Sequence, residues 1–350
     1  MASNLKQIEK ELVANVFVNR NKVITQALFN TSIFHGYQEL LIGEVPEASL
    51  SITSRIFGFC GGSHQLAATM ALEHIGNVQV PPNAHLIRSI IQAAEILQNS
   101  IKWFYTSFSP DLAHPTFQQF SIYPTACERY KAFQGTSFRR GIFGGTYPIS
   151  LLSLLAGQWP HADYIVLGGI ATPLTREKLN AAKKIIQDFR QKWLEPFVLN
   201  GTLESYLAIS SWEELQNWIN RKQEHQEGDL GLFFRIGMEY GLDKFGDSKN
   251  SFLSFGAFWK KSSTLEINPQ NFIKSTQFPS GIYKGNRFKS LDINLFVNHL
   301  KNKNQLELFK KKCYSKLNYW SMELFIFHPS WNWSLVPRPI ILDFQGLFSI

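Results

Sequence analysis

Cysteine is scarce, with three residues in a chain of 350. That excludes a disulfide-stapled framework, and an odd, sparse count fits a reducing compartment. No run of about 18 apolar residues occurs, so no transmembrane helix is expected. Glycine (23) and proline (15) are too few for a collagen-like or low-complexity chain. Charged residues are also sparse, at 18% against 44% hydrophobic, the reverse of a disordered composition. The first residues, Met1 to Lys10, are polar and charged, which argues against a secretory signal. What remains is a globular chain with length for two domains of about 150 residues each.

The formal charge of +8 is concentrated. Residues 251–350 hold 13 of the 35 Lys+Arg and 5 of the 27 Asp+Glu, which leaves 22 of each sign in the first 250. Lys301, Lys303, Lys310, Lys311, Lys312 and Lys316 lie among Asn298, Asn302 and Asn304. Such a patch attracts phosphate. No base-reading motif accompanies it, so it reads as a solvated tail and not as a nucleic-acid site.

Alternation of Val13, Asn15 and Phe17 with Ala14, Val16 and Val18 predicts a β-hairpin over 11–35, turning at Asn19-Arg20-Asn21 and returning from Val23-Ile24. Gly58, Gly61 and Gly62 mark a tight turn after Arg55, and Ser63 is the expected N-cap of a helix to about His74, stopped by Gly76. Pro81-Pro82-Asn83 opens a longer helix. Ile87, Ile90, Ala94, Leu97, Ile101, Phe104 and Phe108 recur on one face of it. At about 25 residues it is about 37 Å long and belongs in a central bundle.

Residues 110–170 show no clear period. Thr172-Pro173 is read as opening a further helix, with Leu179, Ala182, Ile186, Phe189 and Trp193 on its buried face. Ser211 and Glu214 form a capping box for a helix to about Arg221. A short helix and a turn follow over 231–246. The expected class is α+β, mostly helical, with a central long-helix bundle and an N-terminal β-hairpin. Two regions are expected, 1–290 and a divergent basic tail, 291–350.

The stretch Arg55-Ile56-Phe57-Gly58-Phe59-Cys60-Gly61-Gly62-Ser63-His64 resembles the first metal-binding motif of [NiFe]-hydrogenase large subunits, R-x-C-G-x-C with a histidine four residues on. Arg55, Gly58, Cys60 and His64 match, and Phe57 stands where the family has its first cysteine. Phe34-His35-Gly36-Tyr37-Gln38 is similar to the family's F-R-G-F-E. Val80 to Arg88 is similar to the opening of its long helix. Gly157-Gln158-Trp159-Pro160-His161 with Leu167-Gly168-Gly169 resembles another family stretch. Gly228-Asp229-Leu230-Gly231 with Gly241 to Gly246 looks most like the cyanobacterial uptake branch. The resemblance runs from about Ile8 to Gly285.

The resemblance implies the large-subunit fold, H₂ oxidation to protons and electrons, and an iron–sulfur small subunit as partner. The sparse cysteines and polar N-terminus point to a cytoplasmic chain, with membrane association only through a partner. The resemblance also implies a nickel–iron centre held by four thiolates, since soft thiolates suit such a metal. Of these, Cys60 is the matching ligand, with Arg55 and His64 around the site. Glu9, in Ile8-Glu9-Lys10, matches the family's proton-carrying glutamate, and Asn99 lies near the position of an acidic residue that roofs the site in some members. The other cysteines, Cys127 and Cys313, match no motif, and the C-terminal D-P-C-x-x-C-x-x-H motif is absent. Gln38 replaces a glutamate used near magnesium, so magnesium is not expected. The expectation is therefore a truncated, inactive large-subunit homologue. The alternative is a metal-free scaffold, as in the related quinone-binding subunit of respiratory complex I.

Overall fold

In the computed structural model, the described residues are 12–31, 40–56 and 58–244, together with strands within 252–290. Glu9, Phe57, Cys313 and the basic tail lie outside them. The chain divides into two units: residues 12–31 and 40–44 fall in the first, and the described residues from 45 onward in the second.

The first unit contains the expected hairpin. β1 (Leu12–Val18) pairs antiparallel with β2 (Ile24–Thr31), with a register shift at Phe17/Val18. Asn19 makes the turn: its Oδ1 accepts from the N–H groups of Asn21 and Val23, both at 3.0 Å. An Asn side chain mimicking a backbone carbonyl is a standard way to close such a turn.

The second unit is helical. α1 (Ala48–Ile56) is followed by α2 (Gly61–Ile75) and the long α3 (Pro82–Lys102). α3 has proline at N1, where its missing N–H costs nothing, and it continues as a π-helical turn, Trp103–Phe108. Three helices then occupy the stretch that lacks a sequence period: α4 (Tyr123–Tyr130), α5 (Thr136–Gly144) and α6 (Thr146–Ala156). A two-residue hairpin, β3 (Ile165–Val166) and β4 (Gly169–Ile170), precedes α7 (Arg176–Phe189), which runs into a π-helical segment, Arg190–Leu199. α8 (Leu203–Leu207), α9 (Trp212–Arg221), α10 (Gln223–Glu227) and α11 (Asp229–Tyr240) complete it. Beyond them β5 (Phe252–Ser254), β8 (Gly281–Lys284) and β9 (Arg287–Ser290) form one antiparallel sheet, and β6 (Ala257–Trp259) pairs with β7 (Thr276–Phe278).

α3 is the axis of this unit. Ile91 and Ala94 pack with Leu151, Leu152 and Leu155 of α6 and Ala182 of α7. Ile101 and Tyr105 pack with Phe189 and Trp193. A second core joins α4 to α11 through Ala126, Tyr130, Leu232 and Ile236.

Several expectations need correction. Ser63 is not the cap of α2; Cys60 holds that position, and Ser63 lies inside the first turn. α7 begins at Arg176 with Thr175 as cap, three residues later than Thr172, because the Thr175 hydroxyl accepts from Lys178 N–H. Leu179 is exposed rather than buried, since it falls in the first turn of α7. The buried face of α3 is not purely apolar: His85, Arg88, Gln92, Glu95 and Gln98 are all buried on it.

Those polar groups follow a rule. A buried charge is tolerated when it is paired and its remaining donors are used. Arg88, 1% exposed, donates to both Glu73 oxygens, at 3.0 and 2.6 Å. It also donates to the carbonyls of Val166 (2.7 Å) and Gly169 (2.8 Å). Glu73 in turn accepts from Gly168 N–H at 2.9 Å. α2, α3 and the β3–β4 hairpin thus meet at one point.

Replacing Arg88 by Met strands the Glu73 carboxylate and is expected to cost about 3–5 kcal/mol in urea unfolding. Arg55→Met, which breaks a half-exposed pair with Asp163, is expected to cost under about 1 kcal/mol. Equal losses for the two variants would contradict this assignment.

Candidate functional site

The glycine-rich turn and the two helices it joins form the candidate site. Gly61 is required there by close approach: a Cβ would sit 2.3 Å from the Ser54 carbonyl oxygen of α1. The same oxygen lies 3.1 Å from His161 Nδ1. Cys60, 8% exposed, is therefore buried at the N-terminus of α2 and makes no side-chain capping bond.

The capping group comes from α3. The Glu95 carboxylate, 2% exposed, accepts from Gly62 N–H (2.8 Å), Ser63 N–H (2.8 Å) and the Ser63 hydroxyl (2.7 Å). A helix N-terminus presents unpaired N–H groups and a partial positive charge, so a carboxylate there satisfies both. Gly62 leaves room for it, since a Cβ would lie 3.0 Å from Glu95 Oε1.

α2 and α3 run antiparallel, as the Glu73–Arg88 and Gly62–Glu95 contacts require. Residues 88, 95, 99 and 102 share one face of α3 by their three- and four-residue spacing. Lys102 Nζ lies 4.3 Å over the Phe59 ring. Asn99 therefore sits between the Glu95 and Lys102 contacts, beside the Cys60 turn. Its Oδ1, and Oε1 of Gln65 and Gln98, are buried with no hydrogen-bond partner among the described residues.

His64 is half-buried one turn into α2, and burial holds its pKa below the usual histidine range. His85, 3% exposed, is pushed down to about 4, first by burial and then by the Arg88 charge. Arg55 turns away: its guanidinium bonds Asp163 and the Ser51 carbonyl, both at 2.8 Å. Cys127 lies elsewhere, in α4, with Sγ 3.9 Å from the Ala113 carbonyl oxygen. Among the described residues no three His, Cys, Asp or Glu side chains form a group able to hold a metal ion. Sequence reasoning missed Glu95. The signal was a polar stripe, His85, Arg88, Gln92 and Glu95, spaced three, four and three along an otherwise apolar helix.

Residues 35–115 match the family model described as nickel-dependent hydrogenase. The uptake hydrogenase large subunit of Afipia carboxidovorans is 34% identical over 111 residues, covering 31% of this chain and 18% of that protein. The hydrogenase-1 large chain of Escherichia coli is 33% identical over 173 residues, covering 46% of this chain and 28% of the relative. Less than half of each curated relative is therefore matched. The solved Ni-Fe-Se hydrogenase of D. vulgaris Hildenborough shares the fold at a TM-score of 0.58 and 20% identity, over 82% of this chain and 52% of that one. The [NiFeSe]-hydrogenase of Dm. baculatum does so at 0.60 and 18%, over 82% and 53%. The helical unit and small antiparallel sheets agree with these folds.

Two outcomes test this geometry. Glu95→Ala leaves the Gly62 and Ser63 N–H groups without their acceptor. It is expected to cost about 1–3 kcal/mol and to speed alkylation of Cys60, mapped by mass spectrometry; an unchanged rate would refute the capping role. Secondly, His85 stays neutral in the fold down to about 4, whereas a free histidine takes its proton near 6.5. Between those values the unfolded chain binds more protons. Stability is thus fully present above 6.5 and falls as pH drops towards 4, by up to about 3 kcal/mol. In urea melts His85→Gln should flatten that slope.

Proposed function

We propose, from the premise that this chain belongs to the nickel-dependent hydrogenase large-subunit family, that it keeps the helical frame of an uptake-type large subunit and has lost its metal cradle. The observation that carries this reading is the Cys60 turn. Phe57 stands at the first thiolate position, and the α2 N-terminus is closed by the protein's own Glu95 carboxylate.

The donor set does not fit a nickel–iron centre. Such a centre draws on four soft thiolates, and this chain has Cys60, Cys127 and Cys313. A second polypeptide could bring a C-terminal pair of thiolates, yet position 57 would still leave the set one short. Phenylalanine offers no lone pair to a metal. The chain therefore turns over no hydrogen by itself. Glu9, matched to the family's proton carrier, has no metal-bound partner to serve; Arg55 is spent on Asp163 and the Ser51 carbonyl, and His64 is kept as a structural neighbour of the turn. Magnesium is not part of this reading.

A second reading is favoured by the same closure of the turn. A site held shut by protein groups suits a metal-free scaffold in an electron-transfer assembly, as in the quinone-binding relative of respiratory complex I. The retained Arg55-to-His64 frame points to hydrogenase descent in either case. The Afipia and Escherichia relatives are named as a large subunit and a large chain, which supports a small-subunit partner in both readings; that this partner bears iron–sulfur clusters is part of the proposal. No described helix is long and apolar enough to cross a membrane.

Metal analysis and a hydrogen-uptake assay on the purified protein are expected to show no stoichiometric nickel and no turnover. Phe57→Cys restores one donor three residues before Cys60. That variant is expected to gain thiolate-to-metal charge-transfer absorption with Ni²⁺ or Cd²⁺, which the parent lacks. Stoichiometric nickel in the parent would overturn the proposal.

A further inference from the structure

Away from the Cys60 turn, an open groove of about 460 Å³ lies between α9 and α11. Its floor includes Ile219 and Phe234, both buried. Trp212 stands as a wall, its ring edge-on to Phe234 at 5.7 Å, and Met238, 44% exposed, forms a lip. These surfaces suit an apolar body.

The polar groups are few and available. Gln216 and Asn220 lie one turn apart on α9 and line the groove. Neither amide side chain hydrogen-bonds another described residue. Arg235, on α11, has one hydrogen bond among the described residues, a long 3.4 Å contact to the Gln226 carbonyl. Its guanidinium fork has donors left to take a carboxylate side-on, although its charge also acts on the Glu239 carboxylate one turn on. Glu239 also lines the groove but is turned towards α4. It accepts from Ile122 N–H (3.0 Å) and the Ser121 hydroxyl (2.9 Å), and these bonds, with a smaller contribution from the Arg235 charge, hold its carboxyl below the usual carboxylate range. A fixed negative charge beside Arg235 tolerates one further anionic charge better than two.

We propose that this groove binds a small amphiphilic monocarboxylate, with its carboxylate on Arg235, its edge at Gln216 and Asn220, and its apolar body between Trp212 and Phe234. Arg235 is solvent-exposed, so the ion pair is screened. Binding of a probe with about ten heavy atoms is expected near the millimolar level.

The test uses the full chain labelled with ¹³C-methyl methionine. The chain has four methionines, and the Met238 signal is identified with Met238→Leu. Titration with 3-phenylpropionate is expected to shift Met238 saturably and leave Met70, in α2, unmoved. The neutral 3-phenylpropanamide and the dianionic phenyl phosphate should each bind about tenfold more weakly, as should 3-phenylpropionate to Arg235→Gln, the loss of one charge-assisted contact. No saturable shift at Met238 overturns the proposal. So does equal affinity for the carboxylate and its amide, a comparison made on the parent protein and independent of how any variant folds.

Discussion

The second unit depends on one buried ion pair. Glu73 and Arg88 are nearly inaccessible to water, and two charges removed from water are costly to keep. They are kept because each remaining donor and acceptor has a place. Arg88 reaches the carbonyls of the β3–β4 hairpin, and Glu73 takes a backbone N–H from the same hairpin. Three segments far apart in the chain are thereby held in one register. That register decides which residues of α3 face the N-terminus of α2, and so brings Glu95 to the Cys60 turn.

A second buried network ties the other end of α3. The Asp229 carboxylate accepts from Tyr105 OH (2.7 Å), Arg129 (2.5 Å) and the Ser137 hydroxyl (2.5 Å), while Tyr130 OH donates to the Asp229 carbonyl (2.8 Å). Burial, followed by the Asp229 charge, pushes both phenols well above their usual range, so they remain donors. Glycine makes the approach possible. A Cβ on Gly141 or Gly144 would fall 2.0 Å from the Tyr105 or Trp193 ring. The long helix is thus pinned by ionic networks near both ends and packed by apolar side chains between them.

The parts legible in the sequence were those governed by neighbours in the chain. Asn19 closes the hairpin where its turn chemistry predicts. Ser211 accepts from Glu214 N–H at 3.1 Å, as the capping box requires, although Glu214 returns its carboxylate to Ser210. Three helices between 123 and 156 were not legible, because each spans only two or three turns and its contacts include aromatic and glycine positions that set no period. Leu179 and the Thr175 cap were misplaced for a related reason: an apolar residue in a first turn satisfies the pattern without meeting the core.

At the candidate site the division is sharper. Motif and composition alone give the supply of thiolates, with phenylalanine at 57 and cysteine at 60, and place a glycine-rich turn before α2. Donor count is a property of composition and motif, and no packing can change it. What closes that turn is set by three-dimensional packing. Glu95 lies 33 residues from Gly62 along the chain, and its carboxylate reaches those amides only once α2 and α3 lie side by side, a proximity that local spacing does not encode.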